Sequence, residues 1–291
     1  DDSRVLSPLL SVKVHARWAS EIQVLSGSVD PAAGAFVLLS ASDDRTVVAS
    51  RFELGRPGSG GGTLKPQSRL DSIHTGGVFS MHERGRKVAT CSKDGTVCIS
   101  AAGDEGLSVE ATYDGFCSGV LKSVRWQLAV GGPAGPVDVF AATGNDGALR
   151  LFDRRGPGPT AQVEGAHGGS AVNSVAFHPT EPYELMTAGF DRTIRVWDLR
   201  RLDKPTATLS GHHRKSKPSL TSPCYFQGRP LTIGDGTPYL YVYDAATGRL
   251  ATQTYAGITP SSLHVHPSGR LTAASGRTAM WIFDSGFITP P

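Results

Sequence analysis

Apolar residues alternate with small or polar ones, at a period of two, in short stretches along almost the whole chain. In residues 171–177 (AVNSVAF) and 185–197 (LMTAGFDRTIRVW) the alternation predicts strands with a buried face. A Pro-containing turn separates the first two strands, and a tight turn on Asp191 separates the second from the third. Six segments align on that tight turn. Asp44 occupies it in LLSASDDRTVVASRF, Asp94 in VATCSKDGTVCIS, Asp146 in FAATGNDGALRLFD and Asp191 in LMTAGFDRTIRVWD. In LTIGDGTPYLYVYD the position is Thr237, with Asp235 two residues earlier, and in LTAASGRTAMWIFD it is Arg277. Asp-Gly and Asp-Arg-Thr suit tight hairpins, because Asp and Gly tolerate the backbone angles these turns require. The pattern predicts an all-β chain and no helix long enough to form a helical domain.

The repeats start at His15, at His74, near Asp114–Ser118, at His167, at His212 and near Gly257. This sets expected boundaries of 15–73, 74–113, 114–166, 167–211, 212–256 and 257–291 within one domain, 1–291. Two Gly/Pro-rich inserts, GRPGSGGG at 55–62 and GGPAGP at 131–136, read as loops between strands. One four-stranded sheet cannot bury both its faces, but sheets stacked radially bury each other. Residues 5–14 (VLSPLLSVKV) read as a lone strand, and the sixth repeat lacks an outer strand of its own. The expectation is that 1–14 supplies the closing strand. A seventh repeat upstream of residue 1 is the alternative.

The stretch from His167 to Trp197–Asp198 has a His start and a Trp-Asp end within one repeat of about 40–45 residues. In this it resembles the WD-repeat β-propeller family, and weaker copies extend the resemblance over nearly the whole chain. The resemblance implies six or seven blades of four antiparallel strands. It also implies a structural tetrad in which Trp197 bonds Thr187, Thr187 bonds His167 and His167 bonds Asp191. The physical reason is that a buried indole N–H needs a partner. A catalytic reading of these four residues fails for want of an exposed nucleophile, so no catalytic residue is expected. The first two repeats keep His15/Asp44 and His74/Asp94 but have Ser50 and Ser100 where the aromatic would be, which predicts incomplete networks. The fifth and sixth lack the Asp and are expected to be held mainly by apolar packing.

Composition narrows the class. Apolar residues make up 39% of the 291, enough for a sizeable core. No apolar run approaches a membrane span, and DDSRVLSPLL does not read as a secretory signal. Without an initiator Met, the chain is expected to be a fragment or a processed product. A net charge of +3 falls short of the footprint of a dedicated nucleic-acid binder. Cys91, Cys98, Cys117 and Cys224 show no metal-ligand spacing and read as free thiols, with a Cys91–Cys98 bridge across a hairpin as the weaker reading. Free thiols suggest a cytoplasmic or nuclear protein. His264 and His266 alternate along one strand face, but no third ligand accompanies them. GRPGSGGG lacks the Lys-Ser/Thr of a phosphate loop. Neither metal nor cofactor is expected.

Two surface features are candidate partner-binding sites. One is GHHRKSKP, with His212, His213, Arg214, Lys215 and Lys217, which could contact phosphate, acidic peptide or nucleic acid. The other is the end of the third strand in two successive repeats: FDRR, with Asp153 and Arg155, and WDLR, with Asp198 and Arg200. The segments 140–155 and 185–200 resemble the box of WD-repeat substrate receptors of cullin–RING ubiquitin ligases. That resemblance implies docking on an adaptor. The resulting expectation is a non-enzymatic scaffold for protein or peptide partners, without membrane contact. A ubiquitin-ligase substrate receptor and a nucleic-acid or chromatin binder are the alternatives.

Overall fold

A computed structural model describes residues 12–55, 62–127, 138–212, 223–233, 237–256, 262–265, 271–275 and 280–284. Among them no helix occurs, and every regular element is a strand. The chain divides into two compact units, 1–115 and 116–291.

The first unit holds two four-stranded antiparallel meanders. One is β1 (Ala19–Val24), β2 (Ala35–Ser42), β3 (Val47–Leu54) and β4 (Gly62–Leu70). The other is β5 (Val78–Arg84), β6 (Lys87–Ser92), β7 (Val97–Gly103) and β8 (Gly106–Tyr113). Leu39, Ala41 and Val47 of one sheet meet Val78, Met81 and Val88 of the other in a shared core. Polar side chains stitch β1 to β5: Glu21 accepts from Ser80 Oγ (2.9 Å) and the Met81 amide (2.8 Å), and Gln23 accepts from the Glu83 amide (2.7 Å).

The second unit repeats the plan. Its first sheet is β9 (Leu121–Trp126), β10 (Val139–Gly144), β11 (Leu149–Asp153) and β12 (Pro159–Val163). Its second is β13 (Val172–Phe177), β14 (Glu184–Gly189), β15 (Ile194–Asp198) and β16 (Ala207–Leu209). Its third is β17 (Cys224–Phe226), β18 (Arg229–Ile233), β19 (Tyr239–Asp244) and β20 (Arg249–Tyr255). A three-stranded sheet follows, made of β21 (Ser262–Val265), β22 (Leu271–Ser275) and β23 (Met280–Asp284). Successive sheets share apolar clusters: Leu149 and Leu151 lie against Val175, Leu185 and Trp197, and Met186 and Val196 lie against Tyr225 and Tyr241.

Burial follows position within each sheet. The second strand, ELMTAG in β14, is covered on both faces and is therefore almost wholly apolar or small. The fourth, such as β12 or β20, has an open face and alternates. The exception is β1. It is a first strand, yet Ile22 and Val24 are exposed, whereas β5, β9 and β13 are largely buried.

The expected closing strand falls largely outside the described residues, and Val12–Val14 belong to no strand. The inserts at 56–61 and 131–136, and Asp235, His266 and Arg277, also lie outside them. All four cysteines are free, and Cys91 and Cys98 are buried within β6 and β7. No helix among the described residues is long and apolar enough to cross a membrane.

The aligned tight turns share one geometry. The residue after each turn Asp is left-handed: Arg45 at φ 73°, Gly95 at 80°, Gly147 at 77° and Arg192 at 67°. A bond from that residue's amide to the carbonyl three residues back closes the turn, as from Gly95 to Ser92 (3.2 Å). Glycine adopts this conformation freely, and a side chain costs about 1 kcal/mol there. Gly95→Ala should therefore lower stability by about 1 kcal/mol, and Arg45→Gly should raise it by up to a similar amount. Urea unfolding of the two variants checks both signs.

Candidate functional site: a buried hydrogen-bonded chain and an exposed Asp–Arg rim

The fourth sheet brings His167, Thr187, Asp191 and Trp197 together. Asp191 sits in the β14–β15 turn, and its Oδ1 lies 2.8 Å from His167 Nδ1. The same oxygen accepts from the Thr193 amide (3.0 Å) and hydroxyl (2.9 Å). A carboxylate only accepts, so His167 Nδ1 carries the proton and Nε2 is the acceptor. Thr187 Oγ1, 2.8 Å from Nε2, donates to it and in turn accepts from Trp197 Nε1 at 2.9 Å. The chain thus runs in one direction, from indole to hydroxyl to imidazole to carboxylate. His167 and Thr187 are wholly buried.

Burial pushes the His167 imidazole below its ordinary 6.5, against the pull of Asp191, and keeps the ring neutral. Burial of Asp191 works to raise its carboxyl, but bonds from His167 and Thr193 outweigh it and hold the group ionised. The arrangement fixes the loop before β13 to the hairpin. It has no exposed nucleophile and no open acid or base.

The first two sheets insert a hydroxyl. His15 Nδ1 donates to Thr46 Oγ1 (2.9 Å), which donates to Asp44 Oδ1 (2.6 Å), and His15 Nε2 accepts from Ser40 Oγ (2.7 Å). His74 does the same through Thr96 (2.7 Å) to Asp94 (2.7 Å), with Thr90 on Nε2 (2.8 Å). The aromatic donor is absent, because Ser50 and Ser100 stand opposite Leu38 and Val88 as Trp197 stands opposite Leu185.

The third sheet replaces the histidine altogether. Cys117 Sγ donates to Asp146 Oδ2 (3.2 Å), and the buried Arg150 guanidinium bonds the same oxygen. Phe152 takes the aromatic position and stacks on Phe140 with centroids 4.6 Å apart. In the fifth repeat His212 Nδ1 donates to Tyr243 Oη (2.9 Å), which donates to the Ser210 carbonyl (2.9 Å). This bond adds to the apolar packing of the fifth repeat, where Phe226, Leu231, Ile233, Leu240 and Val242 form a buried cluster. His212 is corrected as a surface contact. It is fully buried, and Tyr243 of β19, the third strand, accepts from its Nδ1. His213, Arg214, Lys215 and Lys217 lie outside the described residues.

The rim residues sit at the other end of the third strand. Asp198 closes β15 and turns the chain back, its Oδ1 accepting from the Arg200 amide (2.9 Å) and Nε (2.9 Å), its Oδ2 from Nη2 (2.7 Å). Asp153 and Arg155 repeat this after β11, with amide and Nε contacts of 3.0 and 2.8 Å and a further Nη2 bond. Both arginine side chains are exposed, 70% at Arg155 and 64% at Arg200. The bonded guanidinium holds each aspartate at about 2, so both pairs stay fully charged near neutrality.

Sequence reasoning missed the surroundings of Arg200. Its guanidinium lies 4.8 Å from the ring of Tyr183, itself half exposed. A groove of about 820 Å³ opens beside it, lined by His178, Glu181, Tyr183 and Asp198 and, from the next sheet, by Gly228 and Ala245. His178 Nδ1 accepts from the amides of Thr180 (3.1 Å) and Glu181 (2.8 Å), and its Nε2 donates to the Gly228 carbonyl (3.1 Å). His178 thus joins two sheets. The His-Pro turn was visible in the sequence, but not the carbonyl 50 residues away. Among the described residues no group of three or more His, Cys, Asp or Glu side chains is placed to hold a metal.

Two predictions follow from the buried chain. A Cβ at Gly189 would meet His167 Nδ1 at 2.4 Å, so Gly189→Ala should cost about 2–4 kcal/mol in urea unfolding, at least as much as His167→Ala at about 1–3 kcal/mol. The second concerns pH. Burial lowers His74 from 6.5 to about 4 despite Asp94. The unfolded chain takes up this proton below about 6.5 and the folded chain only below about 4. Stability is therefore complete above pH 6.5 and falls on acidification toward pH 4, by on the order of 3 kcal/mol from His74 alone. His15 and His167 are lowered in the same direction. The urea midpoint should fall between pH 7 and pH 5, and less steeply in His74→Gln.

The model of the "WD domain, G-beta repeat" family matches residues 65–99 and 159–198, the second of which ends with the third strand of the fourth sheet. Similar curated proteins include WD repeat-containing protein RUP1 of Arabidopsis thaliana, 26% identical over 157 residues, which is 52% of this chain and 40% of that protein. The RbAp48-related WD40 repeat-containing protein prw1 of Schizosaccharomyces pombe is 38% identical over 78 residues, 26% of this chain and 18% of that protein. The human EARP and GARP complex-interacting protein 1 is 37% identical over 71 residues, 24% of this chain and 18% of that protein. The chain thus spans less than half the length of these relatives. With its sheets of antiparallel strands, its His–Thr–Asp–Trp chain and these matches, the chain carries WD repeats and is similar to WD-repeat proteins.

Proposed function

We propose that this protein is a non-enzymatic scaffold that holds a protein partner on the rim marked by Asp153–Arg155 and Asp198–Arg200. WD-repeat proteins generally mediate protein interactions and are typically not enzymes, and one relative is named for the complexes it interacts with. The observation that bears most on the reading is the repetition of one exposed Asp–Arg geometry at equivalent strand ends of two neighbouring sheets. Folding gains little from exposed ion pairs. Each aspartate presents a guanidinium in a set orientation, and Tyr183 and the adjoining groove add apolar and aromatic surface beside Arg200. Four free thiols support a cytoplasmic or nuclear setting.

The finer reading is that the partner is an adaptor of a cullin–RING ubiquitin ligase. It is favoured by the placement of Arg155 and Arg200 two residues after the aspartate in both segments. The nucleic-acid reading rested on the basic 212–217 loop and loses His212 to burial.

Affinity purification from cell extract tests both levels. Arg155→Ala/Arg200→Ala should lose the rim partner while its melting temperature stays within about 2 °C of wild type. Loss of a ligase adaptor would support the finer reading. Loss of a different partner would replace that reading and keep the rim. A set of partners indifferent to the double change would overturn the rim as the docking surface.

A further inference from the structure

We propose that the first sheet carries a binding site for an indole ring, in the space where its repeat lacks the aromatic residue. Ser50 lies opposite Leu38 in the register that sets Trp197 opposite Leu185. Beside Ser50 is a cavity of about 280 Å³, bordered by Ile22, Leu38 and Leu64, by the hydroxyl-bearing Ser40 and Ser50, and by the charged Lys13 and Arg17. An apolar cavity of about 150 Å³ already admits a benzene ring, so a bicyclic ring has room. Ser50 is only 2% exposed, and its Oγ has no hydrogen-bond partner among the described residues. A buried hydroxyl without a partner is costly.

The polarity of the site selects the ligand. Thr46 Oγ1 donates to Asp44 and so accepts from His15 Nδ1, which leaves His15 Nε2 to accept from Ser40. Ser40 Oγ spends its proton on the imidazole and keeps lone pairs for a donor, as Thr187 does in the fourth sheet. There the donor is Trp197 Nε1. In the first sheet a ligand must bring it: a flat apolar ring with one N–H at its edge. The exposed Ile22 of β1 borders the same cavity.

The test is titration calorimetry of the purified chain with indole, 1-methylindole and N-acetyl-tryptophanamide. Indole should bind one to one with a dissociation constant below about 1 mM. 1-Methylindole, which keeps the ring but lacks the N–H, should bind about tenfold more weakly. Ser40→Ala should remove that difference, and Ser50→Trp should fill the space and abolish binding. If Ser50→Trp does not fold, the Ser40→Ala comparison decides alone. Binding of N-acetyl-tryptophanamide would show that the ring can arrive on a peptide, and binding of indole alone that it arrives as a small molecule. Failure of both to saturate, equal wild-type affinity for indole and its N-methyl analogue, or undiminished binding to folded Ser50→Trp would overturn the proposal.

Discussion

In the first, second and fourth sheets a buried imidazole, neutral and bonded at both nitrogens, is the constraint on which the other contacts of the repeat depend. Burial disfavours the charged ring, and a neutral ring has one donor and one acceptor. The turn aspartate decides which is which. Because it can only accept, Nδ1–H faces the turn, directly in His167 or through a threonine in His15 and His74. Nε2 then faces a strand hydroxyl that must donate. One carboxylate in a hairpin thereby orients the start of the repeat against the second strand of its sheet. The aspartates also grip the loop backbone, as Asp94 does by accepting from the Thr75 (2.6 Å) and Gly76 (3.1 Å) amides.

The rim obeys different physics. Asp153–Arg155 and Asp198–Arg200 are local pairs, each closed within three residues and standing in water. Both arginine side chains are exposed, and exposed ion pairs contribute little to folding. The two ends of β15 divide the labour. Asp191 at one end belongs to the interior, and Asp198 at the other presents a cation to solvent.

Period-two alternation and the turn aspartates sufficed to place the strands and hairpins, because both are local signals. The tetrad of the fourth repeat was legible through the resemblance to WD-repeat proteins, which its His start and Trp-Asp end carry. What escaped is non-local. Cys117 and Arg150 replace a histidine by approaching Asp146 from two elements. Tyr243 reaches back 31 residues to His212. His178 is bonded to a carbonyl in the next sheet. His212 looked like the first residue of a basic surface loop because its neighbours are charged, but the packing of Tyr243 over it could not be read from that run.

The direction of the chain also accounts for which members are missing in which repeats. Trp197 is the terminal donor. Without it, a hydroxyl loses an incoming bond but keeps its outgoing one, and what stays unmet is a lone pair. An unmet acceptor is tolerated more readily than an orphaned N–H. The first two repeats can therefore have Ser50 and Ser100 there while His15 and His74 stay fully bonded. The aspartate is the terminal acceptor, and its loss would leave Nδ1–H facing nothing. In the fifth repeat, where it is lost, another acceptor takes its place in Tyr243 Oη. At Ser50 the missing aromatic thus goes with a cavity, whereas in the fifth repeat the missing carboxylate is met by another acceptor.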